Sequence, residues 1–225
     1  MQSEQSSEIS QAEKTGWASL WQKFKENRWI SIGGGALLIG VVGWIAYRQY
    51  QALQNSECLR EMRFAETYFR QDSFEKAVKG TATAMGFEQL VEEYGSTPAG
   101  NLCRLYLGLC YLKLGRYEAA KEALSAYDAP DTYLGGAAWA ALAGAYAELK
   151  EFEEAGRCYE KAARVHRNTQ TSPIYLLQGA LTYELAQRFD KAKALYEEII
   201  ERYPTSSEAS AAQKHLARLQ TAHED

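Results

Sequence analysis

The stretches Leu107-Gly108-Leu109-Cys110-Tyr111, Leu142-Ala143-Gly144-Ala145-Tyr146 and Gly179-Ala180-Leu181-Thr182-Tyr183 follow one pattern. Six residues after each tyrosine comes an aromatic: Tyr117, Phe152, Phe189. Three further on stands an alanine (Ala120, Ala155, Ala192), and four beyond that a large side chain (Leu124, Tyr159, Tyr196). The tyrosines are 35 and then 37 residues apart. Internal repeats of this period mean a stack of supersecondary units, each too small to bury its own apolar face. The unit reads as a helix hairpin. A small residue in the first helix (Gly108, Ala143, Ala180) and the alanine of the second let the two backbones approach. The tyrosine fills the wedge, and the turns are Leu114-Gly115-Arg116, Leu149-Lys150-Glu151 and Ala186-Gln187-Arg188.

Upstream, a degenerate copy is visible. Ala65, Tyr68, Phe74 and Ala77 match the first half, and Phe87–Tyr94 aligns with Tyr196–Tyr203. Six extra residues fall within Val78 to Gly86, where a loop around Lys79-Gly80-Thr81 is expected. Pro98, Pro130, Pro173 and Pro204 mark the repeat boundaries, because proline cannot continue a preceding helix. Thr205-x-x-Glu208 reads as a capping box for a final helix, roughly Ser206 to Gln220, which would close the stack.

Composition agrees. Only 4 prolines in 225 residues favour long helices, and a hydrophobic fraction of 46% suits a packed core rather than disorder. The net charge of −4 gives no basic footprint for nucleic acid. Four cysteines, Cys58, Cys103, Cys110 and Cys158, contain no C-x-x-C pair. Cys103 and Cys110 on one helix would lie about 10 Å apart, too far for a disulfide. They read as small core residues, with a bridge between distant helices left open in an oxidising compartment.

Trp29 to Tyr47 reads WISIGGGALLIGVVGWIAY, uncharged and bounded by Arg28 and Arg48. Nineteen helical residues rise about 28 Å, close to the thickness of a bilayer's hydrocarbon. Aromatic residues flank it, and no small-x-small cleavage site follows, so the expectation is an uncleaved membrane anchor. Lys14, Lys23, Lys25 and Arg28 before it, against Arg48, Arg60 and Arg63 after it, bias the N-terminus to the inside. Gly33, Ala36, Gly40 and Gly43 form one small-residue stripe, a candidate face for a partner helix. Ahead of the span, Met1 to Gln11 is polar, and Trp17, Leu20, Trp21 and Phe24 make a short amphipathic helix. Nothing in Arg48 to Phe69 breaks a helix, so the anchor is expected to run on into the first repeat. The organisation is therefore all-α: tail 1–28, transmembrane helix 29–47, and repeat domain 48–222.

No H-E-x-x-H, G-x-S-x-G, Walker loop or G-x-G-x-x-G occurs, and His166, His215 and His223 are scattered. No catalytic residue, metal site or cofactor is expected. The acidic runs Glu151 to Glu154 and Glu197-Glu198 read as solvated faces of second helices.

The repeat resembles the tetratricopeptide repeat over about Cys58 to Gln220, most clearly in Trp139 to Ala162. The whole arrangement is similar to the YfgM-like family of bacterial inner-membrane proteins, in particular its Bacteroidota-type members. Segments carrying that likeness are Gly86–Leu90, Tyr94–Thr97, Asn101–Cys103, Tyr159–Ala163 and Ser172–Leu176. The resemblance implies a cytoplasmic N-terminus and a periplasmic repeat domain. It also implies an accessory role beside the Sec translocon, with translocon subunits, a membrane-anchored periplasmic chaperone or emerging client chains as partners. In the family register the concave groove falls on Leu102, Leu105, Leu109 and Leu112, then Ala137, Ala140, Gly144 and Ala147, then Ile174, Leu177, Leu181 and Glu184. This set is apolar and lacks the Lys, Arg and Asn of the carboxylate-clamp subclass. The helix Asn101 to Leu114 is apolar almost all round, which demands burial on several sides. Its candidate covers are the Arg48–Phe69 helix, the terminal cap, a second copy of the chain, or a partner. Two other function classes fit the same residues: an envelope-assembly or division scaffold, and a membrane-tethered regulator.

Overall fold

The structure, a computed structural model, describes residues 28–221, with side chains from Ala36 onward. The expected tail and the amphipathic turn around Trp17 and Phe24 lie outside the described residues. Among the described residues, ten α-helices and one two-stranded ladder follow in chain order. They are α1 (Arg28–Arg70), α2 (Phe74–Lys79), β1 (Gly80–Thr81), β2 (Ala84–Met85), α3 (Phe87–Tyr94), α4 (Pro98–Lys113), α5 (Tyr117–Ser125), α6 (Tyr133–Glu148), α7 (Phe152–Val165), α8 (Ser172–Leu185), α9 (Phe189–Arg202) and α10 (Ser207–Thr221). The chain divides into two compact units, Met1–Leu53 and Gln54–Asp225.

In the second unit, four helix pairs repeat one turn. Asp72, Gly115, Lys150 and Gln187 all adopt left-handed backbone, with φ of 54°, 71°, 61° and 58°. Each follows the same tyrosine. The amide of the residue after the turn donates to that tyrosine's carbonyl: Ser73 to Tyr68 and Arg116 to Tyr111 at 2.9 Å, Glu151 to Tyr146 at 2.9 Å, and Arg188 to Tyr183 at 2.8 Å. This is the 6→1 bond of a Schellman helix end, which satisfies a carbonyl the helix leaves orphaned. The degenerate upstream copy shares this turn with the other three.

Its six extra residues are not a simple loop. They fold the second helix out into a hairpin in which Gly80 pairs with Met85 and Thr81 with Ala84. The helix then resumes as α3. Gly80 has φ +77°, and a Cβ on Gly86 would run into the Val78 carbonyl oxygen and the Gly80 nitrogen. Only glycine tolerates that backbone-to-backbone approach.

Packing follows the repeat. Ala77, Ala120, Ala155 and Ala192 are each 0% exposed, as are Ala143 and Ala180. A Cβ on Gly108 would collide with Leu124 Cγ, so the close approach inferred there is real. Three buried clusters run along the stack. The first joins Cys58, Met62 and Ala65 of α1 to Phe87, Leu90, Cys103, Leu107 and Cys110. The second gathers Leu105, Leu124, Leu142 and Cys158. The third joins Leu176, Tyr183, Tyr196 and Ile199 to Ala209, Ala212 and Leu219 of the terminal helix.

The prolines sit at boundaries, two of them inside helix starts: Pro98 follows the N-cap Thr97, whose hydroxyl accepts from Gly100 N at 3.0 Å, and Pro173 opens α8. A first-turn proline gives up only an amide that the helix does not use. The final helix is capped one residue later than the sequence suggested. Ser206, not Thr205, accepts from Ala209 N at 3.2 Å, and with alanine at the third position no reciprocal box forms.

In the first unit, α1 from Ala36 carries exposed large apolar residues on every side, among them Leu38, Ile39, Val42 and Ile45. A Cβ on Gly40 or Gly43 would meet nothing within 4 Å, so the small stripe faces open space at Ala36, Gly40 and Gly43, while the side-chain surroundings of Gly33 lie outside the described residues. Among the described residues no helix is long and apolar enough to cross a membrane. Of the expected 29–47 segment, residues 36–47 have described side chains.

Candidate interaction surface

The first helices of the repeats, α4, α6 and α8, present the residues expected to line a groove. Leu105 is not surface at all. It is 4% exposed and belongs to the cluster with Leu124 and Leu142. Leu102, Leu109 and Leu112 are half-buried and pack on that cluster. Ala140 and Gly144 are half-buried, and Gly144 has open space where a Cβ would be. Leu177 and Leu181 are half-buried, Leu177 against the third cluster, while Ile174 is 43% exposed. The all-round apolarity of α4 has its cause here: Cys103, Leu107 and Cys110 enter the first cluster while Leu105 enters the second. The C-terminal part of α1 covers one side, so part of the predicted apolar surface is filled by the chain itself. The cap helix covers the last repeat instead. The apolar residues that stay open on these helices are Tyr133, Leu134, Ala137 and Ile174, with Leu185 at the end of α8. Tyr133 and Leu134 were not expected, because they precede the part of α6 that the repeat register aligns.

The tyrosines, 15 against 7 phenylalanines, have a use beyond filling wedges. Tyr111 donates its hydroxyl to Glu88 at 2.5 Å, and Tyr183 to Glu160 at 2.6 Å, each reaching the second helix of the preceding repeat. Both pairs are 23 residues apart. For Tyr146 the equivalent position is Ser125, too short to reach, and its ring lies instead 5.7 Å from the Lys121 ammonium. Burial first, then the glutamate, pushes the Tyr111 and Tyr183 hydroxyls above the ordinary phenol range.

Glu184, placed in the groove by register, serves a different purpose. It accepts from the Tyr196 hydroxyl at 2.6 Å and from Arg218 of the cap, with His215 Nδ1 at 3.5 Å. His215 also stacks on Tyr196, with centroids 5.4 Å apart. The cap is thereby bolted to the last repeat. Nothing in the sequence pairs Glu184 with Arg218, 34 residues away.

The acidic runs are less idle than a solvated face. Glu151 accepts from Lys121 at 2.8 Å, and Glu153 from Lys191 at 3.0 Å with Arg188 at 3.5 Å. Lys191 is the main cause of a Glu153 carboxyl held below its usual range. These pairs link consecutive repeats, and solvent screening leaves each of them weak. Among the described residues no group of three or more His, Cys, Asp or Glu could hold a metal ion. No buried side-chain nitrogen or oxygen among them lacks a hydrogen-bond partner.

The model of the tetratricopeptide repeat-like domain matches residues 19–221. This chain belongs to the tetratricopeptide repeat-like domain family. Such repeats generally mediate protein–protein interaction, and the fold is typical of non-catalytic scaffolds. Among solved structures, the chain is similar to the nearly identical TPR-like repeats of a kinesin light chain-type protein from Podosopora anserina. The TM-score is 0.56 and the identity 19%, over 76% of this chain and 88% of that one. A single-substitution variant of that protein gives the same values. At this identity the likeness speaks for the fold alone. No curated protein matches the chain. The family match stops at the repeat-like domain and does not reach the finer YfgM-like resemblance.

Proposed function

We propose that the protein is a membrane-anchored protein-interaction scaffold of the bacterial inner membrane, with its N-terminus in the cytoplasm and its repeat domain in the periplasm. In this reading the repeats hold a membrane-anchored chaperone or an emerging client chain beside the Sec translocon. The observation that carries the anchor is the uncovered apolar surface of α1 between Ala36 and Tyr50. Leu37, Leu38 and Ile39 are 67%, 65% and 76% exposed, and Val42, Trp44, Ile45 and Tyr47 join them. A water-facing helix does not carry such surface, whereas a lipid-facing one requires it. The uncharged run begins at Trp29, and adding 29–35 to the described part gives the length a bilayer needs. Arg48 over the Trp44 ring at 5.0 Å sits where an interfacial pair belongs. Tethering raises the effective concentration of the repeats at the membrane, so weak apolar contacts at Tyr133, Leu134 and Ile174 suffice for capture.

Photo-crosslinkers at Gly40 and Ile174 in native membranes, read by mass spectrometry, test this. Translocon subunits or a membrane-anchored chaperone in the crosslinks support the reading. One other envelope protein in stoichiometric yield would replace it with a dedicated assembly scaffold. Crosslinks from Ile174 to cytoplasmic proteins would reverse the topology.

A further inference from the structure

Cys58 on α1 and Cys103 on α4 are both 0% exposed, and their sulfurs lie 3.9 Å apart across 45 residues of chain. We infer that this pair is a site of reversible disulfide formation that staples the first repeat to the second. Closing to a bond of about 2.05 Å requires the sulfurs to approach by less than a methyl diameter. Neither of the other cysteines competes. Cys110 lies two turns along α4 from Cys103, and Cys158 is buried in a different cluster. The two thiols are also unequal. Either thiol can donate across this contact, and the contact is the main reason the Cys58 thiol is held below its usual range while Cys103 is raised. Burial pushes Cys110 and Cys158 up to about 12 and about 11. The exchange has the same outcome whichever sulfur begins it, and Cys58, the lower of the two, is the one taken to attack.

The oxidant is an exchangeable disulfide, carried by a protein or by a small thiol. The Cys58 thiolate attacks it, forming a mixed disulfide and releasing one thiolate. The Cys103 thiolate then attacks the Cys58 sulfur and expels the second. The two protons that leave the protein go to the two released thiolates, and two electrons pass from the cysteine pair to the oxidant. Access comes from the place of the pair in the fold. α1 begins the stack, and the end of a repeat array opens more readily than its middle. The closed loop spans the first turn, the hairpin and α3, so the staple secures the repeat that carries the insertion.

The test uses the full chain in detergent, equilibrated with glutathione disulfide and glutathione in varied ratio. It is quenched with acid, denatured and alkylated, and its peptides are mapped. Two thiols per chain are expected to become unreactive, with a Cys58–Cys103 linked peptide 2 Da lighter than the reduced pair, restored by reductant. The oxidised chain should melt about 5–10 °C higher than the reduced one. In Cys58→Ser and in Cys103→Ser that gain should vanish. Four alkylatable thiols under excess glutathione disulfide, a link to Cys110 or Cys158, or an equal rise in melting temperature in the serine variants would each overturn the inference. The linked peptide is read on the unaltered chain, so the test decides even where a serine variant fails to fold.

Discussion

The first repeat and the third reach the same turn by different routes. At α6 and α7 the hairpin is continuous, and closeness comes from Gly156, where a Cβ would fall 2.6 Å from the Tyr183 ring of the next repeat. At α1 to α3 the second helix is split by a β-hairpin, and closeness comes from Gly80 and Gly86 passing backbone against backbone. Yet Asp72 and Lys150 take the same left-handed φ, and Ala77 and Ala155 are equally buried. The repeat is therefore defined by its turn and its alanine contact. Helix continuity is dispensable once the inserted residues fold back on themselves and return the chain in register at Phe87.

That contrast sets an order of effects. Gly86→Ala is expected to cost about 3 kcal/mol in urea unfolding, since both contacting atoms are backbone and cannot move aside. Gly156→Ala should cost less, about 2 kcal/mol, because a ring can tilt. Equal costs would break the distinction between the two routes.

Next comes the inter-repeat hydroxyl. Tyr183→Phe should lose about 1 kcal/mol with its bond to Glu160, while Tyr146→Phe should lose little, Ser125 standing where the glutamate would be. The same group gives a pH dependence. The folded phenol is raised by burial and by Glu160, so above about pH 10 the unfolded chain loses its proton first and the fold loses stability. Below that pH the contribution is complete. Cys158 and Cys110, raised to about 11 and about 12 by burial, add to the loss from about pH 9 upward. The melting temperature should therefore fall from about pH 9 upward, and less steeply above about pH 10 in Tyr183→Phe. The turns give changes of opposite sign. Lys150→Gly should gain a few tenths of a kcal/mol by relieving a left-handed side chain, and Gly115→Ala should lose about 1 kcal/mol.

Much of the repeat stack was legible because its signals are local and periodic. Tyr111, Tyr146 and Tyr183 with Ala120, Ala155 and Ala192 fixed the helix pairs, and the offset at Val78 to Gly86 located the insertion. The hairpin within it was not legible, since Gly80-Thr81 and Ala84-Met85 are too short to show a strand period. The groove was read less well. Register placed Leu105 on the same helix as Leu109, but which side meets the next repeat depends on how α5 and α6 pack. That rests on the buried cluster that brings Leu105 together with Leu124 and Leu142, which no spacing encodes. Glu184 likewise looked like groove and proved to be the fastening of the cap, because its partner Arg218 arrives from another helix.

We propose that the helix before Gln54 lives in lipid while the repeats stand in water. Alkaline carbonate extraction of membranes from cells producing the full chain tests it, with Leu38→Lys plus Val42→Lys alongside. Lysine at the centre of a membrane helix costs about 2.5–3.5 kcal/mol per residue. The unaltered chain is predicted to stay in the membrane pellet and the double variant to move largely to the supernatant, with the melting temperature of its repeats unchanged. An unaltered chain that washes off the membrane with the peripheral proteins would contradict the account.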